Sequence, residues 1–398
     1  MRIVYLVLFL LAGSTSFAQD GARFDTLSAL NIVSKEDMLL QNVRIQIEAT
    51  QAVNDLYNFK FERAELQFKW LMSKYEWHPI PYFLMGLSQW WKIMPDIDNT
   101  SYDNKFYGYM DLALEKAEEL YKNGGNKVEA AFFMSASHAL KARLMSDRKQ
   151  WTKAAFEGRN SLKYLDEIRD NIELSPELLF GDGLYNYYSN WIPENYPLLK
   201  PVMVFFPKGD RDQGIKQLRE VAHNAFYTRT EAQLFLLHIL LIHENRPMEA
   251  FTVAEYLNKT FPDNAYFHRM YARLLYTLGR YRQAEVVCDD ILSKIDSGMI
   301  GYEANSGRYA AFFLAQIHES YGRKTEAKKY YERAVNFGEE IEAYETGYYL
   351  YSLLNLAEYA YQEENTKEAR KILKQIKKYA KRSHPAHKRA REYLKKFR

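Results

Sequence analysis

The chain has 398 residues, 47% of them hydrophobic and 26% charged, with a formal net charge of +3. That balance excludes wholesale disorder and collagen-like fibres, and gives no global electrostatic argument for nucleic acid. Gly (18) and Pro (11) are few while Tyr (32) and Phe (23) are many, which suits long helices on short loops better than a β-sandwich. One cysteine, Cys288, excludes an intrachain disulfide framework and any Cys-built zinc or iron–sulfur site.

The amino terminus reads as an export signal over residues 1–18. Arg2 gives a positive start, Ile3 to Ala12 is uninterrupted and apolar, and Ser16 and Ala18 place small residues before Gln19. The run is too short to span a bilayer. Cleavage is expected after Ala18, and no cysteine follows to carry a lipid. This junction resembles signals of Gram-negative Bacteroidota, which implies a periplasmic protein, soluble or peripherally associated with the outer membrane.

A repeat follows. The anchor alanines Ala250, Ala284, Ala327 and Ala369 recur at spacings of 34, 43 and 42 residues. Before each stands a helix-period apolar pattern, as in Tyr271-Ala272, Leu275 and Leu278-Gly279-Arg280-Tyr281, or in Leu314-Ala315 and Tyr321-Gly322-Arg323. Small residues let two helices approach, and a glycine between them supplies a left-handed cap. These segments resemble the tetratricopeptide repeat (TPR), a helix–turn–helix unit that stacks into a solenoid. In the amino-terminal half the pattern is weaker, carried by Phe61 to Leu71, Tyr82 to Trp90, and Leu112 to Ala117. Helices are predicted over roughly 31–58, 61–75, 80–94, 104–122, 127–146, 151–170, 176–190, 210–225, 229–243, 247–260, 264–278, 281–294, 303–321, 325–337, 343–363 and 366–381. The expected fold is therefore all-α, a TPR-like solenoid of about eight helix pairs. Divergent repeats fill 19–225, TPR repeats fill 226–381, and a basic cap ends the chain over 382–398.

One segment departs from the repeat. Residues 191–207 carry four prolines, Pro193, Pro197, Pro201 and Pro207, which predict an insertion instead of a regular helix. Its aromatics, Trp191, Tyr196, Phe205 and Phe206, are candidates for a surface facing a partner or a bilayer, or for a plug over a groove. The flanks carry Phe180-Gly181-x-Gly183 and Gly209-Asp210-Arg211-x-x-Gly214. Residues 178–224 thereby resemble the eukaryotic inclusion-body-clearance family of TPR proteins, and the resemblance is carried over as fold alone. Asp210 is expected to cap a helix and Arg211 to pair locally.

Catalytic signatures do not emerge. There is no phosphate-binding glycine loop, no Gly-x-Ser-x-Gly elbow and no His-Glu-x-x-His. His238 and His243 lie five apart, on different faces of a helix. Asp96, Asp98 and Asp103 lack the glycine and bidentate acid of a calcium loop. No metal or cofactor is expected. Resemblance to TPR proteins instead implies a concave groove lined by first helices. Its positions carry over to Phe235, His243, Tyr266, Arg269, Arg273, Tyr276, Tyr309, Phe312, Gln316, Tyr351, Glu358 and Tyr361. Aromatic and Arg side chains are the usual anchors of protein interfaces. The last 33 residues hold fourteen Lys and Arg against Glu368 and Glu392, over an apolar stripe of Leu373, Ile376, Tyr379 and Ala380. Such a segment suits either a solvated cap or contact with an anionic surface. The expected function is a non-catalytic adaptor for protein partners of the cell envelope. A helical glycan-binding protein and an α/α-toroid enzyme acting on polysaccharide are the alternatives.

Overall fold

The computed structural model describes residues 34–197, 200 and 208–396; the export signal and Phe205 and Phe206 lie outside them. Among the described residues there are helices and no strand. In chain order they are α1 (Val43–Tyr57), α2 (Phe61–Lys74), α3 (Pro79–Ile93), α4 (Asp103–Lys122), α5 (Lys127–Asp147), α6 (Trp151–Lys163) and α7 (Leu165–Arg169). Then come α8 (Leu179–Asn195), α9 (Arg211–Asn224), α10 (Arg229–His238, continued by a π-turn at Ile239–His243), α11 (Pro247–Thr260) and α12 (Ala265–Thr277). The last are α13 (Tyr281–Asp296), α14 (Ala304–Ser320), α15 (Lys324–Glu340), α16 (Gly347–Gln362), α17 (Thr366–Tyr379) and α18 (Pro385–Lys396). The chain divides into two compact units, residues 1–91 with 100–236, and residues 92–99 with 237–398.

Six helix pairs share one turn. The pairs α1/α2, α5/α6, α10/α11, α12/α13, α14/α15 and α16/α17 are each joined by three residues, and the middle residue has positive φ. Those residues are Phe59, Lys149, Asn245, Gly279, Gly322 and Glu364, with φ between 50° and 74°. The next amide then reaches back over the helix end, as in Lys60 N to Asp55 O (2.8 Å), Gln150 N to Met145 O (2.8 Å) and Arg280 N to Leu275 O (2.9 Å). This is the Schellman cap, which satisfies carbonyls the helix leaves open and reverses the chain.

In the second unit consecutive helices from α11 to α18 pack on one another, and the first helices α12, α14 and α16 also touch in succession. That is the stacking of a TPR-like solenoid. Ala284, Ala327 and Ala369 are fully buried where paired helices meet, and Cys288 is buried among them. Burial pushes the Cys288 thiol far above its ordinary pKa, so it stays a protonated packing group.

In the first unit, α8 and α9 cross through glycines. A methyl on Gly214 would stand 2.6 Å from Tyr187 N and 2.7 Å from Gly183 O. Asp210 caps α9 by accepting from Gln213 N at 2.9 Å, and Arg211 pairs with Glu194 at 2.7 Å. The Gly-Asp-Arg-x-x-Gly motif is thus a cap followed by a close backbone crossing.

Several expectations change. The first helix starts at Val43, not near 31, because Asn42 caps it by accepting from Ile45 N. Residues 151–170 break into α6 and α7 at Tyr164. The segment proposed as an insertion from 191 is helical up to Asn195. Pro193 lies in the last turn of α8, where it removes one amide bond, not a run of them. Trp191 is consequently buried against Tyr188 and Tyr196, and is no surface aromatic; Tyr196 is half-buried beside it. Finally, α18 is a helix the sequence reading omitted. Its Ala386 and Ala390 are buried in the core built on α16 and α17.

The shared turn predicts opposite outcomes at two equivalent positions. Gly279→Ala should cost about 1 kcal/mol, since a methyl there meets nothing but must sit at positive φ. Glu364→Gly, at φ 63°, should relieve the same strain and be neutral to stabilising by up to about 1 kcal/mol. Chemical denaturation of both variants checks this.

Candidate functional site

Helices α12, α14 and α16 bring most of the predicted groove residues of the second unit onto neighbouring turns. Tyr276 on α12 stacks on Phe313 of α14, with ring centroids 4.5 Å apart and planes 15° from parallel. Tyr309 and Phe312 on α14 lie 4.5 Å and 5.0 Å from the ring of Tyr348 on α16. Phe313 joins them, 5.7 Å from Tyr348. The result is a continuous ladder of five rings across three helices. Burial pushes the Tyr348 hydroxyl up to about 12, with Tyr309 adding to the shift and Arg273 opposing it.

Three arginines border this ladder and differ in what holds them. Arg269 is buried, 6% exposed, and donates from Nη1 to Pro95 O at 3.2 Å and Ser306 Oγ at 3.1 Å. Its guanidinium also lies over the rings of Tyr266 and Tyr309. Arg308 donates to Thr346 Oγ1 at 3.0 Å and Asn305 Oδ1 at 2.9 Å. Arg273 is half-buried near Tyr348; its backbone carbonyl accepts from Thr277 Oγ1 at 2.8 Å, and among the described residues no hydrogen bond or ion pair engages its guanidinium.

The remaining predicted positions are distributed as follows. Tyr266 is buried and its hydroxyl bonds His238 Nε2 at 2.5 Å, so it packs the interior. His243 is half-buried in the π-turn after α10. Gln316 is taken up by Tyr331 and Glu319. At the far end α18 lies over α16: Glu358 accepts from Tyr393 and Arg389, and Tyr351 meets the His384 ring at 5.7 Å. Tyr361 is half-buried on the same helix. Glu358 and Tyr351 are thus contacted by α18 and the residue before it. Phe235 belongs to the first unit, where it packs on Phe180.

Tyr348 and Phe313 were missed. The 42-residue offset between anchor alanines maps Tyr309 onto Tyr351, yet Tyr309 touches Tyr348, one helical turn earlier. Successive first helices pack with a stagger, so equivalent positions are not the positions in contact. A scan for any aromatic within one turn of the mapped position would have found it.

The basic terminus is likewise absorbed in part. Ala369, Leu373, Ile376 and Ala380 are buried in the core of the second unit, while Lys374, Lys377 and Lys378 face outward. Its apolar stripe is already covered, which leaves only charge for an outside surface.

Among the described residues no group of three His, Cys, Asp or Glu side chains is placed to hold a metal ion. No helix there is long and apolar enough to cross a membrane. No family model matches the sequence, and no curated protein matches it. Among solved structures, the TPR domain of P58(IPK) is similar over 89% of this chain and 97% of that one, at 15% identity and a TM-score of 0.22. That score is too low to carry weight, so the TPR-like assignment rests on the helix pairs, their shared turn and their stacking.

The two arginines should separate in the laboratory. Arg269→Met should lower unfolding stability by about 2 kcal/mol, because it strips charged hydrogen bonds from buried acceptors. Arg273→Met should stay within about 0.5 kcal/mol of the parent chain. Urea titration of both proteins provides the comparison.

Proposed function

We propose that this protein is a non-catalytic adaptor that binds protein partners of the cell envelope through the ring ladder on α12, α14 and α16. One observation carries the reading: the half-buried rings of Tyr276, Tyr309, Phe312 and Tyr348 are linked through the buried ring of Phe313, with the guanidinium of Arg273 near Tyr348. Aromatics and arginine supply most of the binding energy in protein interfaces. An extended or helical peptide with apolar anchors and an acid suits such a surface.

The site of action in this proposal is the periplasm, reached by the signal over residues 1–18, with the protein free or peripherally held at the outer membrane. Lys374, Lys377 and Lys378 would add a contact to an anionic surface by charge alone. Such a contact weakens as salt rises, because exposed charges are screened over about 8 Å at physiological ionic strength.

The test has two stages. Crosslinking in the native envelope identifies partners, and amino-terminal sequencing of the recovered chain should read from Gln19. Binding of the identified partner is then measured for the parent chain, for Arg273→Ala, and for a Lys374→Gln, Lys377→Gln, Lys378→Gln triple variant. Arg273→Ala should weaken binding by about 2 kcal/mol, and the triple variant should lose only the salt-sensitive part. Unchanged affinity in Arg273→Ala would remove the groove from the reading. Cleavage of a glycan by the purified protein would overturn the adaptor altogether.

A further inference from the structure

The first unit contains a cavity of about 170 Å³ walled by α3, α5, α6, α8 and α10. Its lining is apolar almost throughout, with Phe83, Leu87, Leu140, Leu162, Leu184 and Phe235 contributing. Two polar groups in that wall are not accounted for by the fold. Arg143 of α5 lies with its guanidinium 4.8 Å from the Trp90 ring centroid and 5.4 Å from that of Phe235. Among the described residues no hydrogen bond or ion pair engages its N–H donors. Tyr227 is 8% exposed, and its hydroxyl is buried with no hydrogen-bond partner among the described residues.

We infer that this cavity binds an amphipathic monocarboxylate, a short acyl or arylalkyl chain whose carboxylate pairs with Arg143 while its apolar end fills the pocket. The inference is independent of the adaptor reading, since every residue it uses lies in the first unit.

Size comes first. An apolar protein cavity of about 150 Å³ accepts benzene and stays dry without it. The space here therefore suits one ring or a chain of about six to eight carbons. Charge comes second. A guanidinium held between two rings keeps its fork of donors in one plane, which matches the two oxygens of a carboxylate. Beside a largely apolar wall that pairing meets less competing water than at an open surface. Glu231 is the other charged residue in the wall, and it is already engaged. Its Oε1 accepts from Trp91 Nε1 at 2.8 Å and from the Tyr57 hydroxyl at 3.3 Å. Burial raises its pKa, with Trp91, Arg143 and Tyr57 opposing. A cationic ligand would bring a second positive charge up to the Arg143 guanidinium. A neutral ligand would leave the guanidinium as it stands.

Isothermal titration of the full-length protein with three probes of equal length decides the matter: octanoate, 1-octanol and octylammonium, at pH 7. Octanoate should bind. Octanol should bind about tenfold or more weakly, the ordinary loss for a missing charge-assisted hydrogen bond. Octylammonium should give no heat. Arg143→Met should bring octanoate down to the level of octanol, and Leu140→Trp should abolish both by filling the space. Circular dichroism melts establish that each variant is folded. Equal affinity for octanoate and octanol, or no binding of octanoate at millimolar concentration, would overturn the inference. The probe series on the parent chain decides it even if Arg143→Met does not fold.

Discussion

One backbone constraint organises the structure: a three-residue turn whose middle residue is left-handed. It recurs at Phe59, Lys149, Asn245, Gly279, Gly322 and Glu364. The turn is short enough that the second helix of a pair has no choice but to run back along the first. That places an apolar stripe of one helix against an apolar stripe of the other, and the crossing then demands small residues. Ala284, Ala327 and Ala369 answer that demand in the second unit, and Gly183 and Gly214 do so between α8 and α9. Only two of the six turns use glycine. The other four hold an L residue where it costs roughly 1–2 kcal/mol, so the geometry is retained against local preference by the packing it produces.

The first unit departs most from regular pairing, and buried carboxylates hold it. Glu177 is 2% exposed and accepts from the amides of Phe226, Tyr227 and Thr228 at 2.6, 2.9 and 2.9 Å, and from the Thr228 hydroxyl at 2.6 Å. It thereby caps the start of α10 from a segment about fifty residues earlier. Glu129, fully buried, accepts from the amides of Leu39 and Leu40 and has His78 Nε2 at 3.1 Å. Asp182 gathers Arg169, Gln217 and Asn186 at the α8/α9 crossing. Each acid has several donors, the condition under which a buried charge does not unfold its surroundings. Such ties do in the irregular unit what anchor alanines do in the regular one.

This division explains what could be read from the sequence. Helix ends in the second half were legible because Leu278-Gly279-Arg280 and Tyr321-Gly322-Arg323 mark the turn by residue type. The same turn at Phe59 and Lys149 carries no glycine, so the amino-terminal pairs looked weaker than they are. Trp191 departs from expectation because proline ordinarily ends a helix, whereas Pro193 sits in a last turn that tolerates it. Repeat register sets Tyr351 opposite Tyr309, but the stagger of packed helices puts Tyr348 there instead. Glu177 and Glu231 had no signature at all. An acid on a helical face looks solvated until tertiary packing supplies its donors.

The same argument sorts the arginines. Arg269 and Arg308 each find carbonyl, hydroxyl or amide oxygens, and so belong to the scaffold of the ring ladder. The Arg143 guanidinium instead stands over the rings of Trp90 and Phe235, and among the described residues no such acceptor engages it or that of Arg273. The sequence does not separate the four, because their acceptors come from other helices. Ring faces attract a guanidinium but accept none of its hydrogen bonds in the plane, where its donors point. An arginine set among rings thus keeps its directional capacity unspent, whereas one set among oxygens does not.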